Sequence, residues 1–311
     1  MSDFGSVISV NISKEKGTIK QPVDEIVIDD KGIAGDAHAG RWHRQISVLG
    51  FADIKSFSEE VNRKMAHGEF AENITLDGID LGRVSILDRF TVGDVVLEVT
   101  QIGKKCHGDQ CAVYRQVGKC VMPKKGLFCR VIKGGTIKAA DRVEYTERPF
   151  RVTVITVSDR AYAGEYSDRS GPKAVEMINE FFKDKRWHLA VETEILPDDP
   201  DALLEKLERA TADGTDVIFT LGGTGIGPRD ITPDIVSSII DKELTGIMEN
   251  IRVKFGAEKP SALLSRSVAG TLRTSQLYAL PGSVKAVTEY LGEIFKTLEH
   301  AVFMLHGLDV H

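Results

Sequence analysis

The chain has 311 residues, of which 42% are apolar and 28% charged, with 29 Gly and 10 Pro. Those proportions exclude collagen-like, linker-like and disordered classes, and at about 150 residues per domain the length predicts two domains. The net charge of −6 is unevenly divided: residues 1–148 carry 22 basic and 21 acidic side chains, while 149–311 carry 18 and 25. Neither half has the positive field of a general nucleic-acid binder, so no nucleic-acid partner is expected. No apolar run approaches the ~18 residues of a membrane span, and the start, MSDFGSVISVNISKEKG, lacks the basic stretch and apolar core of a signal peptide. The expectation is a cytoplasmic protein with no membrane partner.

The first half reads as strands. Val7, Ile8, Val10 and Ile12 begin it, and runs at Glu25–Ile28, Ile46–Leu49, Val95–Thr100 and Arg142–Tyr145 are separated by turn pairs such as Asp77-Gly78, Gly93-Asp94 and Gly134-Gly135. One helix interrupts them, over Asp53–Ala66, where Ile54, Phe57, Val61 and Met65 share a face. Short strands with Gly-rich turns predict a β-barrel-dominated α+β domain.

All four cysteines, Cys106, Cys111, Cys120 and Cys129, fall in this half with spacing C-x4-C-x8-C-x8-C. A chain this long needs no disulfide framework, and the spacing contains no C-x-x-C pair for zinc. Packing as small apolar side chains is the simplest role for each.

The texture changes at Thr146-Glu147-Arg148-Pro149, which places a domain boundary between 148 and 149. Beyond it strands and helices alternate: VTVITV (152–157), a helix opening at Pro172, a strand ending near Leu196, a helix over 200–212, VIFTL (217–221), a helix start at Thr232-Pro233-Asp234, LYALP (277–281), and a long helix from about Val284. This alternation predicts an α/β domain with a mostly parallel sheet flanked by helices, whose ligands bind at the carboxyl ends of the strands.

Three polar or Gly-rich segments each follow a predicted strand and should converge there: Ser158-Asp159-Arg160 running into GEYSDRSGP (164–172), GGTGIGPRDITPD (222–234), and Pro281-Gly282-Ser283. Glycines at 222, 223, 225 and 227 allow a backbone to approach a phosphate, yet the segment is neither a P-loop nor the dinucleotide fingerprint. Asp230 lies just beyond the glycines and Asp198 ends another strand, in LPDD. Carboxylates beside a phosphate cradle imply a divalent cation between them, Mg²⁺ above all; as a bland alternative, the glycines make a tight turn and the aspartates cap helices.

SDRAYAGEYSDRSGP, LPDD, TLGGTGIGPRDITPD, LSRSVAGTLR and ALPGS occur in this order, and over 151–311 the chain resembles the molybdopterin adenylyltransferases. The resemblance implies that Gly222, Gly223, Thr224 and Gly225 form the nucleotide-phosphate loop and that Asp198 and Asp230 are catalytic carboxylates holding Mg²⁺. It implies further site walls at Ser158, Asp159, Ser265, Arg266, Pro281, Gly282 and Ser283, and an acidic position at Glu249. Ile247 and Val284 depart from residues common in that family. The implied reaction transfers the adenylyl group of ATP to the terminal phosphate of molybdopterin, releasing pyrophosphate. Such chemistry needs positioning and charge neutralisation without a protein nucleophile.

In the first half, GIAGDAHAGRWHRQISVL (32–49) and the segment 104–143 resemble the MOSC domain, named for the C-terminal domain of molybdenum-cofactor sulfurase. In that family a cysteine carries sulfur or ligates molybdenum; Cys111 best matches the position, with Cys106 second, and Cys120 and Cys129 keep the packing role. His38, Arg41, His43 and Arg44, with Lys104, Lys105 and Arg115, form a basic group suited to a phosphate-bearing pterin or, more simply, a solvated loop face.

Together the resemblances imply an enzyme of molybdenum-cofactor synthesis, with adenylyl transfer in the second half and cofactor binding or sulfuration in the first. The alternatives are a non-catalytic carrier of finished cofactor and a reductase of N-hydroxylated compounds with a fused cofactor-loading domain. A homo-oligomer, a trimer by resemblance, and contact with a molybdenum-insertion enzyme are the partner expectations.

Overall fold

The structure is a computed structural model that describes residues 2–105, 114 and 119–308. It divides into two compact units, Met1–Arg148 and Pro149–His311.

The first unit is a closed barrel. Strands β1 (Ser2–Ile12), β5 (Ile46–Gly50), β6 (Ile74–Asp77), β7 (Arg89–Val92), β8 (Val95–Ile102), β9 (Leu127–Lys133) and β11 (Arg142–Thr146) run in the ring order β11-β7-β8-β9-β5-β6-β1, and β1 returns to β11. Closure depends on the length of β1, which pairs with β11 over Ser2–Ser6 and with β6 over Ser6–Val10, through an irregularity between Val7 and Ser9. A short β2 (Gln21–Val23) extends β1, while β3 (Glu25–Asp29), β4 (Gly32–Ile33) and β10 (Gly135–Lys138) make a separate small sheet. Inward residues such as Val10, Ile46, Ile74, Leu97, Cys129 and Tyr145 fill the core, as expected of a barrel without free edges.

Helix α1 spans Phe51–Glu60, shorter than the Asp53–Ala66 that apolar spacing suggests. The chain leaves the helix at Val61 and turns at Asn62, whose φ is 47°. Met65 still packs with Ile54, Phe57 and Phe70, so the apolar periodicity outlasts the helix that it imitates. A second short helix, α2 (Met122–Lys125), precedes β9.

In the second unit, β12 (Pro149–Val157), β13 (His188–Leu196), β14 (Val217–Leu221), β15 (Lys242–Glu243), β16 (Val268–Leu272) and β17 (Ser275–Leu280) form one sheet in the order β13-β12-β14-β17-β16-β15. Pairings β13-β12, β12-β14 and β14-β17 are parallel, but β17-β16 and β16-β15 are antiparallel. The sheet is therefore mixed, which corrects the mostly parallel expectation. The cause is a two-residue hairpin at Arg273-Thr274, where Arg273 adopts φ 55° without the Gly or Asn that usually marks such a turn.

Side chains alternate across this sheet. Phe150, Val152 and Val154 of β12 face α4 (Ser170–Phe182), α7 (Thr245–Glu258) and α8 (Val284–Leu305), which bury Ala174, Ile178, Met248, Leu291 and Leu298. On the other face, Ile155 and Val157 meet α5 (Pro200–Ala212) and α6 (Thr232–Ile239) through Leu203, Leu207 and Val236. A one-turn helix, α3 (Asp159–Tyr162), follows β12 directly. Among the described residues no helix is long and apolar enough to cross a membrane.

Candidate active site

The parallel registers Val157↔Leu196, Thr156↔Leu221 and Leu221↔Leu280 level the ends of four strands. The next residues, Ser158, Pro197-Asp198, Gly222 and Pro281, therefore leave the sheet at one edge, where ligands of such sheets bind.

Gly222 and Gly223 turn the chain there with φ of 118° and 61°, a region that disfavours any side chain. The amide of Gly222 donates to Leu280 O (2.9 Å) and that of Thr232 to Gly223 O (3.1 Å). Arg266 holds the rest of the loop. Its amide donates to Thr224 O (2.9 Å), its Nε to Gly225 O (2.9 Å), its Nη2 to Asp230 O (2.5 Å), and its fork pairs with both oxygens of Asp234 at 2.8 and 2.9 Å. Those bonds pull the Asp234 carboxyl below its ordinary range. Arg266 thus shapes the loop from behind.

Asp159 and Asp198 bridge the first two segments. The Asp159 amide donates to Asp198 Oδ2 (3.0 Å), the Asp198 amide to Asp159 Oδ1 (2.9 Å), and Arg229 Nη1 to Asp159 Oδ2 (2.8 Å). Asp230 is anchored in the same manner, its Oδ2 accepting from the Gly227 amide at 2.7 Å. Nearby, Asp168 caps α4: burial opposes its ionisation, but the hydroxyls of Thr156 and Ser170 and the amides of Ser170 and Gly171 outweigh it and hold the carboxyl down.

Two cavities meet at this edge. The first, about 470 Å³, is lined by Ser158, Tyr166, Asp198, Gly222, Arg229 and others. The second, about 440 Å³, is bounded by Thr224, Lys259, Ser265, Ser283, Lys285 and Tyr290 among others. Gly223, Asp230 and Gly282 belong to both walls. The structure thus brings Ser158, Asp198, Asp230, Gly222, Gly223, Thr224, Gly225, Ser265, Pro281, Gly282 and Ser283 to the cavities, with Asp159 and Arg266 bonded to their walls. Glu249 lies exposed on α7 and lines neither cavity. Sequence reasoning passed over Arg229, Tyr166 and Lys285; no spacing signal marks them.

In the first unit, Cys111, Cys106 and Arg115 lie outside the described residues. Cys129 sits in the barrel core, where burial and then Glu98 push its thiol up; Cys120 packs beside Met122, and neither joins a disulfide among the described residues. The loop 34–44 turns around Asp36, a buried carboxylate that accepts from the Ser13 amide (3.1 Å), Lys20 Nζ (2.5 Å), Asn73 Nδ2 (3.1 Å) and the His38 amide (2.9 Å). His38 Nδ1 lies 3.2 Å from Asp36 Oδ1. Burial disfavours the charge on Asp36, but His38 and Lys20 outweigh it and hold the carboxyl far below its ordinary value. Burial conversely pushes Lys20 down, with Asp36 opposing. Above this hub Trp42 stacks on His38 with ring centroids 6.5 Å apart, and the Arg44 guanidinium lies 4.9 Å from the Trp42 ring. His43 is buried and Arg41 exposed.

Two family models match: the probable molybdopterin binding domain over residues 153–300 and the MOSC domain over 35–144. The chain is 38% identical over 163 residues to the molybdopterin adenylyltransferase of Pyrococcus furiosus, covering 50% of this chain and 92% of that one. It is 37% identical over 157 residues to the molybdenum cofactor biosynthesis bifunctional protein of Synechococcus elongatus, a match spanning 50% of this chain and 48% of the relative's length. A crystal structure of a molybdopterin biosynthesis enzyme from Thermus thermophilus is 36% identical, covers 51% of this chain and 97% of its own, and superposes with a TM-score of 0.45. Through its second unit the chain belongs to the molybdopterin adenylyltransferase family, and a MOSC domain precedes that unit.

Proposed function

We propose that the second unit transfers the adenylyl group of ATP to the terminal phosphate of molybdopterin in the presence of Mg²⁺. The observation that carries this reading is the shared wall of Gly223, Asp230 and Gly282 between two cavities. Two anionic substrates, one in each, would meet there. The first cavity, with its glycine turn, suits the nucleotide phosphates; the second, with Lys259 and Lys285, suits the pterin phosphate.

In the reaction an oxygen of the pterin phosphate forms a bond to the α-phosphorus as the bond from that phosphorus to pyrophosphate breaks. The protein's part is alignment and charge balance. Gly222 and Gly223 present backbone without side-chain bulk, Arg266 keeps the loop closed on Asp230, and Arg229, tied to Asp159, stands at the first cavity as a fixed positive charge. Asp198 and Asp230 are each anchored through Oδ2 by one backbone amide, so each retains Oδ1 as a hard oxygen donor. Mg²⁺ is commonly bound by one or two carboxylates with substrate phosphates and water, a role these two oxygens can fill. Mg²⁺ held so would neutralise charge on the departing pyrophosphate.

The first unit is proposed to bind the molybdenum cofactor, with the Asp36 hub ordering His38, Trp42 and Arg44 for an anionic pterin and Cys111 as the thiolate that ligates molybdenum or carries sulfur. The test of the main reading is pyrophosphate release by the full chain. Release that requires molybdopterin, ATP and Mg²⁺ together supports it; release without molybdopterin, or none with all three, defeats it.

A further inference from the structure

Among the described residues Tyr166 is the only aromatic side chain in the wall of the first cavity. Of the other apolar residues there, Val157 and Leu221 are buried, which leaves Tyr166, 42% exposed, and Pro228 as the apolar surface the cavity offers. A single exposed aromatic is ordinary on a protein surface. This one is held in place. Its hydroxyl lies 3.1 Å from that of Ser158, within hydrogen-bond distance, and Ser158 Oγ in turn accepts from the Ala161 amide (3.3 Å) at the start of α3. The Arg160 guanidinium stands over one face of the ring, 5.0 Å from its centroid. Two residues further on, Asp168 Oδ1 accepts from the amide (2.8 Å) and the hydroxyl (2.7 Å) of Ser170, which ties the end of the loop to α4. The ring is thus a flat apolar surface whose ordering precedes any ligand. The glycine turn, Asp198 and Arg229 suit phosphates and a cation but offer nothing to a planar base, whereas an aromatic ring stacks on one.

We propose that the Tyr166 ring is the platform on which the adenine of ATP stacks, and so the residue that gives the first cavity its preference for a purine nucleotide. This rests on reading that cavity as the Mg·ATP site and adds to it the place of the base. With Arg160 over one face, the opposite face is left for the base. Stacking depends on overlapping area and makes no hydrogen-bond readout, so it favours a purine over the smaller pyrimidine without telling adenine from guanine.

The experiment measures binding to the full chain and its Tyr166→Ala, Tyr166→Leu and Tyr166→Phe variants. The probes, each with Mg²⁺, are α,β-methylene ATP and α,β-methylene CTP, which cannot be cleaved at the reacting bond, tripolyphosphate, which has no base, and molybdopterin. Wild type should bind the adenine analogue more tightly than the cytosine one. Tyr166→Ala should weaken the adenine analogue on the order of 10-fold, a typical effect of losing one base–aromatic stack, narrow the gap between the two bases, and leave tripolyphosphate binding unchanged. Tyr166→Leu keeps apolar bulk without the ring and should behave like Tyr166→Ala, which covers the case that the alanine variant does not fold. Tyr166→Phe keeps the ring without the bond to Ser158 and should retain the adenine preference. Equal weakening of tripolyphosphate and nucleotide, or an unaltered gap between the bases, would make Tyr166 a structural residue and overturn the proposal. So would a loss in Tyr166→Phe equal to that in Tyr166→Ala, or a loss confined to molybdopterin. If wild type binds neither nucleotide analogue, the reading of the cavity fails first and takes this inference with it.

Discussion

Asp159 and Asp198 exchange hydrogen bonds, each backbone amide donating to the other's carboxylate, at 3.0 and 2.9 Å. This reciprocal pair locks the segment after β12 to the segment after β13, two neighbouring parallel strands. It also fixes Asp198 through one oxygen, which directs the other toward the glycine loop. A rigid carboxylate at a strand end is what an adenylyl-transfer site needs, since misplacement of charge by an ångström is costly.

Asp198→Asn and Asp230→Asn should each lower turnover by about 10²-fold or more, because they remove charge where it is stabilising in the transition state. Each keeps an oxygen that can accept the amide, so circular dichroism and melting should stay near wild type. Wild-type turnover in both variants would show that the carboxylates are caps only.

Gly222→Ala should destabilise the second unit by roughly 1–3 kcal/mol, the range for a residue forced into a sparsely populated backbone region. Its φ of 118° is unfavourable to a side chain, and the added Cβ would strike the Val157 carbonyl on a central strand. Urea unfolding of the variant measures this. Gly164→Ala, with φ of 73° but open space around the new Cβ, should cost less.

The first unit should lose stability as the pH rises from about 4.5 to 7. Burial raises the Glu72 carboxyl to about 7 from 4.5, against the opposing hydrogen bonds of the Gly68 and Phe70 amides and the Thr75 hydroxyl. The folded state then holds a proton that the unfolded state has released, so the stabilisation is full below 4.5 and lost through 7, on the order of 3 kcal/mol in all. Glu72→Gln, which mimics the protonated form, should flatten that part of the pH profile of unfolding. A profile as steep as wild type's would assign the dependence to another group.

Asp36→Asn should destabilise the first unit by roughly 3–5 kcal/mol, because it leaves the buried Lys20 ammonium without its anionic partner. Asp36→Asn paired with Lys20→Met should recover part of the loss. If the double variant is no better than the single one, the hub does not work through charge pairing.

The barrel and the α/β alternation were readable because period-two runs such as those of β3 and β11, and stripes such as Ala174, Ile178 and Phe182, state burial directly. Leu196, Leu221 and Leu280 end strands ahead of the polar segments, so their convergence followed from alternation alone. The antiparallel edge did not follow, since Arg273-Thr274 carries no turn signature. Lys20 was equally invisible: only the folded chain brings a lysine from the end of β1's loop beneath Asp36.

Adenylyl transfer by the second unit is tested most directly by incubating the full chain, and separately residues 149–311, with molybdopterin, ATP and Mg²⁺ and reading the pterin by mass spectrometry. The account predicts a product heavier than molybdopterin by one adenylyl group from both proteins, and none from the Asp198→Asn and Asp230→Asn double variant. Molybdopterin recovered unmodified from the full chain, under conditions where it binds, would contradict it.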